Sequence, residues 1–465
     1  MDKKSFNDIS RRKFIGQASC AAVGATSLMS TLTNFFLTNS AVAQNVDFFT
    51  DYRALVCFFM PGGNDSFNLL VPTGAAYSEY STVRGDLALP QNSLLPINPI
   101  NDAGRPLALH PGATGLRDLF EDGNLSFISN VGSLVRPTTM TDYLNGYQIP
   151  YGVFSHSDQQ EQWQTSIPDV RSGLGWAGRV ADMLNGVNKN TAVSMNVSIA
   201  GNNLWQVGNQ VYPYTVSADG AVSLNGYGNN NSSNLLRKTA IDNLLAQEYH
   251  NVLEKTFTKV KRNALDAYDL FKTATDTPIP ADNLGNGPLG KQLRQVAKTI
   301  AGRNILGVKR QIFYVQWGGW DFHDEVLVNM SEMIPIVSDA MKAFYDLLVA
   351  MGVENDVTTF SASEFGRSLT TNNRGSDHAW GGNQWVIGGA INGKRIYGQY
   401  PDLYENGPLD TGRGRFIPTT SVDELAAELA LWLGVSKTDL PIILPNISRF
   451  YNLNSMANPI GFMGV

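Results

Sequence analysis

Two stretches carry the residue types and spacings from which a metal site can be built. In Trp317-Gly-Gly-Trp-Asp321-Phe-His323, an apolar run from Gln311 to Gln316 reads as a strand opening into a glycine turn that bears a carboxylate and an imidazole. In Ser361 to Gly382, a second apolar run, Val357 to Ala362, opens into Glu364 and Arg367, with Asp377 and His378 shortly beyond. Hard oxygen and imidazole nitrogen donors at strand exits suit a divalent cation. Asp321 and His323 lie two apart, so in an extended segment both side chains face one way. As a structural alternative, the two brace the Gly318-Gly319 turn through a hydrogen bond.

Three further motifs join the candidates. Pro61-Gly-Gly-Asn64-Asp65 follows the first apolar run, where Asp65 offers an anionic oxygen; the plain alternative is a turn capped by Asn64 and Asp65. Phe154-Ser155-His156-Ser157-Asp158 opens a helix, and a hydroxyl at a helix N-terminus sits where N–H groups can hold a phosphate or sulfate ester. Ser155 is the first candidate nucleophile and Ser157 the second; spacing alone favours Ser157 as a cap and His156 as a surface residue. Arg367, three residues after Glu364, either clamps a tetrahedral oxyanion or pairs with Glu364. His110 reads as structural and His250 as solvated.

The elements that must position these groups alternate strand and helix. Ala54 to Met60, stopped by Pro61-Gly-Gly, is a continuous apolar run, as a strand buried on both faces requires. Strands are expected at 125–131, 192–199, 311–316, 357–362 and 384–390. Helices are expected at 112–122, 155–163, 176–184, 238–274, 289–302, 331–351 and, capped by Ser421, at 422–433. Such alternation predicts an α/β three-layer sandwich with a mostly parallel central sheet, in which functional groups gather beyond the carboxyl ends of the strands. Residues 201–234, rich in Asn, Gly and Ser, read as a polar insertion with a hairpin at Ala218-Asp-Gly220. No repeat of 20–50 residues is visible.

The chain has 465 residues, 43% of them apolar and 16% charged, with 44 glycines. Ser10-Arg-Arg-Lys-Phe14, a weakly apolar stretch and Ala41-Val-Ala43 match a twin-arginine signal peptide over 1–43, cleaved after Ala43, and place the mature protein in the periplasm or outside the cell. Removing it takes away five basic and two acidic residues, leaving 30 against 39 and a charge of −9. An acidic surface of this kind disfavours nucleic acid and anionic membranes as partners. Cys57 is then the single cysteine, so no internal disulfide can form.

Taken together and in order, P-G-G-N-D, S-H-S-D-Q, G-G-W-D-F-H, S-E-F-G-R and G-S-D-H-A-W-G-G behind a twin-arginine leader resemble the exported bacterial family named domain of unknown function 1501. That family is similar to the alkaline phosphatase and sulfatase superfamily, and the resemblance runs from about Ala54 to Leu433. It implies one alkaline-phosphatase-like domain over 44–465 and one or two divalent ions, zinc by preference. Asp321, His323 and His378 would hold one ion, and Asp65 and Glu364 the other, with Ser155 or Ser157 between them. The implied activity is hydrolysis of a phosphate or sulfate ester on a small molecule or glycan. Two departures stand out: Glu364-Phe365 occupies the place of an Asp-His pair, and the sulfatase nucleophile motif is absent. A non-catalytic envelope or glycan-binding protein is the rival expectation, and a structural calcium ion a third. The translocase of the twin-arginine route is the one protein partner implied, with no stable membrane anchor.

Overall fold

The computed structural model describes residues 49–221, 227, 231–247 and 252–464. The leader read over 1–43, part of the polar stretch that follows Gly228, and His250 lie outside those residues. Nine strands form the central sheet: β1 (Arg53–Phe59), β2 (Leu125–Gly132), β3 (Asn196–Ser198), β4 (Tyr214–Thr215), β5 (Arg310–Gln316), β6 (Val357–Ala362), β7 (Gly382–Ile387), β8 (Ile396–Tyr397) and β9 (Thr420–Ser421). Their spatial order is β8-β2-β7-β6-β1-β5-β3-β4, with β9 also paired to β2. Every pairing is parallel except the two made by β7, so the sheet is mixed but mostly parallel.

Alternation along β1 explains the layers. Ala54, Val56 and Phe58 enter one core cluster, while Leu55, Cys57 and Phe59 enter another on the opposite face. Helices α1 (Thr114–Glu121), α4 (Pro288–Ala301) and α5 (Val326–Ala350) cover the first face through residues such as Phe120, Val296 and Phe344. Helices α2 (His156–Thr165), α3 (Trp176–Leu184) and α6 (Val422–Leu433) cover the second through Trp163, Val180 and Leu429. A strand with both faces covered has no room for charged alternation, which is why the interiors of β1 and β5 read as nearly continuous apolar runs and β6 carries only small hydroxyl residues between its apolar ones. Helix α6 starts where Ser421 and Glu424 form a reciprocal capping box.

Several elements differ from the sequence reading. The strand expected over 192–199 shortens to β3, because Ser194 and neighbouring loop residues bond locally instead of extending the ladder. The helix expected over 238–274 is two, Ser232–Leu245 and Val252–Thr275. Part of the 201–234 segment is built into the fold: Trp205 is buried edge-on against Trp176, and β4 pairs with β3 at the sheet edge. The turn at 217–220 closes through reciprocal Ser217–Gly220 backbone hydrogen bonds, as a tight hairpin turn requires. Cys57 is a buried free thiol. Among the described residues no helix is long and apolar enough to cross a membrane.

Candidate metal centre

Segments leaving the carboxyl ends of β1, β5 and β6 meet at one edge of the sheet, joined by the chain that enters the antiparallel β7. After β5, Trp320 and Phe322 turn into the core and are almost fully buried, which leaves Asp321 and His323 pointing outward between them. The alternation anticipated for an extended Asp-x-His segment is thus enforced by two aromatic anchors. The Pro61-Gly62-Gly63 turn after β1 lies directly behind: Gly62 has φ +119°, and a Cβ there would stand 2.5 Å from the Asp321 backbone nitrogen. Only glycine permits that approach.

Beyond β6, Arg367–Thr371 and Ser376–His378 form an antiparallel hairpin. Its turn packs against the same loop, since a Cβ at Gly375 would meet the His323 carbonyl carbon at 2.4 Å. Ser376 donates its backbone N–H to the Phe322 carbonyl. These contacts bring His378 and Asp377 to Asp321 and His323 from 54–57 residues away in sequence.

Three imidazoles surround Asp321. His156 Nε2 is 3.4 Å from Asp321 Oδ2, His323 Nε2 is 3.2 Å from Oδ1, and His378 Nε2 is 3.3 Å from Oδ1. Ligand atoms of His156, Asp321 and His378 lie within 4.8 Å of one another, a group able to hold a metal ion. His323 Nε2 joins two of those three, standing 2.9 Å from His378 Nε2. Donors on a cation at about 2.0–2.1 Å in tetrahedral geometry are separated by about 3.3 Å, close to the 3.4 Å and 3.3 Å between Asp321 and the His156 and His378 nitrogens, whereas the 2.9 Å between His323 and His378 is a hydrogen-bond length.

Each imidazole is oriented through its other nitrogen. His156 Nδ1 donates to Glu364 Oε1 at 2.8 Å, His323 Nδ1 to Asp377 Oδ1 at 3.1 Å, and His378 Nδ1 to the Phe154 carbonyl at 2.8 Å. A carboxylate or carbonyl oxygen can only accept, so each Nδ1 carries a proton, and a ring without a second proton presents its Nε2 lone pair to the centre. This is the outer-shell arrangement that fixes tautomer and aim in metal-ligating histidines. Phe365 forms the wall, its ring stacked on His378 at 4.6 Å and tilted against His156 at 4.8 Å. Asp321 remains exposed, so the centre opens to solvent.

Arg367 is fully buried and spent on structure. It donates to the carbonyls of Gly62, Gly63, Trp320 and Ser376, and it forms an ion pair with Asp321 Oδ1. Neither the pairing with Glu364 nor a guanidinium free to grip an oxyanion is what the structure contains; Arg367 instead ties three loops together beneath Asp321. Burial works to raise the Asp321 carboxyl, but the hydrogen bond and charge of Arg367, with His323 and His156, outweigh it and hold the group below the usual carboxylate range. Against a similar burial effect, Asn372, Arg413 and His323 pull Asp377 down to about 2. Burial leads the causes that lower the His378 pKa, favouring the neutral ring a metal requires.

The remaining candidates fall into two groups. Glu364 is buried beside His156 and also accepts the Gly62 N–H at 2.8 Å, so its part is to orient an imidazole. Asp377 does the same for His323. Asp65 is fully buried in an ion pair with Arg84, apart from the imidazole cluster. Ser155 and Ser157 flank His156 at the start of α2, their hydroxyls 3.3 Å apart. Spacing alone predicts His156 as a surface residue, and the structure places it in the cluster instead. Its one sequence signal was a place within a polar helix start, which a cap explains equally well. His110 is buried and structural, with Nδ1 accepting the Gly112 N–H.

The architecture and the cluster define an α/β protein with a candidate metal centre beyond the carboxyl ends of its parallel strands. A family model described as "Protein of unknown function (DUF1501)" matches residues 114–440, more than half of the chain, and the chain belongs to that family. No curated protein matches. Among solved structures, one titled "Crystal structure of Ps i-CgsB in complex with k-i-k-neocarrahexaose" is similar over 85% of this chain and 77% of that one, at 10% identity and a TM-score of 0.31. A likeness of that degree carries no argument about this chain.

Proposed function

We propose that this protein is an exported, metal-dependent hydrolase of a phosphate or sulfate ester, built on an alkaline-phosphatase-like version of its fold. One observation carries the proposal: three imidazoles, each with Nδ1 committed to an oxygen acceptor, turn their Nε2 atoms toward a single carboxylate. Without a cation or an added proton, lone pairs would face lone pairs. Nitrogen-rich donor sets of this kind favour zinc over calcium or magnesium. A bound divalent ion would supply Lewis-acid polarisation of the ester and charge stabilisation in the transition state.

The protein's own groups divide the remaining work. His156, Asp321 and His378, with His323 beside His378, would hold the ion; Glu364, Asp377 and the Phe154 carbonyl aim the rings. Ser155, with Ser157 beside it, is the candidate nucleophile at the N-terminus of α2, where backbone N–H groups favour an anion. Zinc analysis of the purified protein, followed by turnover of aryl phosphate and aryl sulfate esters, tests the proposal. Metal with turnover that is lost in Ser155→Ala supports it, and absence of metal contradicts it.

A second reading, a non-catalytic envelope or glycan-binding protein, draws on a specific observation. Asp65 and Arg367, two groups a two-ion ester hydrolase would place at its centre, are occupied by Arg84 and by backbone carbonyls. Stoichiometric metal with no turnover on either ester class would favour it. The twin-arginine leader supports export in both readings.

A further inference from the structure

With Arg367 committed, the question is which cation receives an anionic group brought to the metal centre. Arg413 is excluded: it is ion-paired with Asp377 and bonded to Thr370 and Thr371. Arg84 is sealed in the core with Asp65. Arg415 differs from all three. Its Nε donates to the Gly412 carbonyl at 2.8 Å, while its terminal nitrogens have no carboxylate or carbonyl partner among the described residues.

The position of Arg415 is built. Its guanidinium lies 4.5 Å from the centroid of the Phe154 ring. Phe154 is the residue whose carbonyl holds His378 Nδ1, and it precedes Ser155 and His156. Phe154 also adopts φ 75°, a costly conformation for a bulky side chain, which the surrounding structure must enforce. The loop bearing Arg415 is equally constrained: Gly412, Arg413 and Gly414 all have positive φ, and Asp410 accepts the backbone N–H groups of Gly412 and Arg415. An arginine with free donors therefore lies over the ring of the residue that aims a metal-site histidine, and Phe154 and Arg413 both hold a positive φ there. Non-glycine residues held in this region cluster at active sites and ligand clamps.

We infer that Arg415 is the substrate-recognition residue of this centre, its free guanidinium edge gripping the peripheral oxygens of a phosphoryl or sulfuryl group. The inference rests on the metal-centre reading above and deepens it by assigning the anion contact to a residue outside the ligand set. A planar guanidinium stacked on a ring and fixed at Nε presents its two terminal nitrogens as a rigid fork, the geometry that matches a tetrahedral oxyanion.

The test uses zinc-reconstituted wild-type, Arg415→Met and Arg415→Lys proteins, with metal content, melting temperature and calorimetric binding of inorganic phosphate and of inorganic sulfate measured on each. Arg415→Met should keep its zinc and melting temperature but bind the preferred anion roughly tenfold or more weakly, with Arg415→Lys between the two. The preferred anion separates phosphate from sulfate chemistry. Equal anion affinity in wild type and Arg415→Met overturns the inference while leaving the metal centre standing. Loss of zinc from Arg415→Met also overturns it, because Arg415 would then act only by holding Phe154 against His378. A wild-type protein that takes up no zinc removes both readings.

Discussion

His323 and His378 approach each other with Nε2 atoms 2.9 Å apart, while the Nδ1 of each faces an oxygen that can only accept. Two neutral rings in that arrangement repel through their lone pairs. A cation between them removes the repulsion, and Asp321, in contact with both nitrogens, supplies the balancing charge. The neighbouring Arg367 makes the same carboxylate harder to protonate. A proton shared between the rings would also remove that repulsion, and the arrangement supports the proposal of a metal ion here.

Glu364 should matter for metal affinity without being a ligand. Replacing it with Gln keeps an oxygen for the Gly62 N–H but weakens the hold on His156 Nδ1. Outer-shell changes of this type lower metal affinity by about 10–100-fold. Competition against a chelator of known affinity should show that loss, with the melting temperature of the metal-free protein little changed.

The Asp65–Arg84 pair should behave as structure. Both side chains are fully buried, and Arg84 also donates to the Ser368 and Leu369 carbonyls. Removing one member of such a pair strands the other charge and typically costs about 3–5 kcal/mol. Arg84→Met should shift the urea midpoint of unfolding accordingly, while the folded protein keeps its full metal content.

A pH dependence of stability should trace to the buried His110. Burial pushes its pKa down to about 4 from an ordinary 6.5. Between those values the unfolded chain binds a proton that the folded protein does not, so stability falls as pH drops through this window. The contribution is present above about pH 6.5 and lost towards pH 4. Urea unfolding of wild type and His110→Gln at pH 7 and pH 4 should show the variant losing about 2–3 kcal/mol less than wild type over that range.

Much of this layout was legible in the residues, and the failures have physical causes. The run Ala54–Met60 announces a strand covered on both faces, and the Pro61-Gly-Gly turn behind it announces close backbone approach. Periodicity carries no information about strand direction, so the antiparallel course of β7 was invisible. β8 and β9, two residues each, are too short to leave a pattern. Asp321, His323 and His378 stood out because turn residues surround them. His156 did not, since a polar residue in the first turn of a helix has an ordinary local explanation. Asp65 misled in the opposite direction: its partner Arg84 sits 19 residues on, inside a helix, where spacing gives no sign of the pairing.

The most direct test of the account is elemental analysis of the purified wild-type protein beside Asp321→Ala and His378→Ala. The account predicts about one equivalent of zinc or a similar divalent ion in the wild type and its loss from both variants, each still folded by circular dichroism. Equal metal in all three proteins, or none in a folded wild type offered zinc, would contradict it.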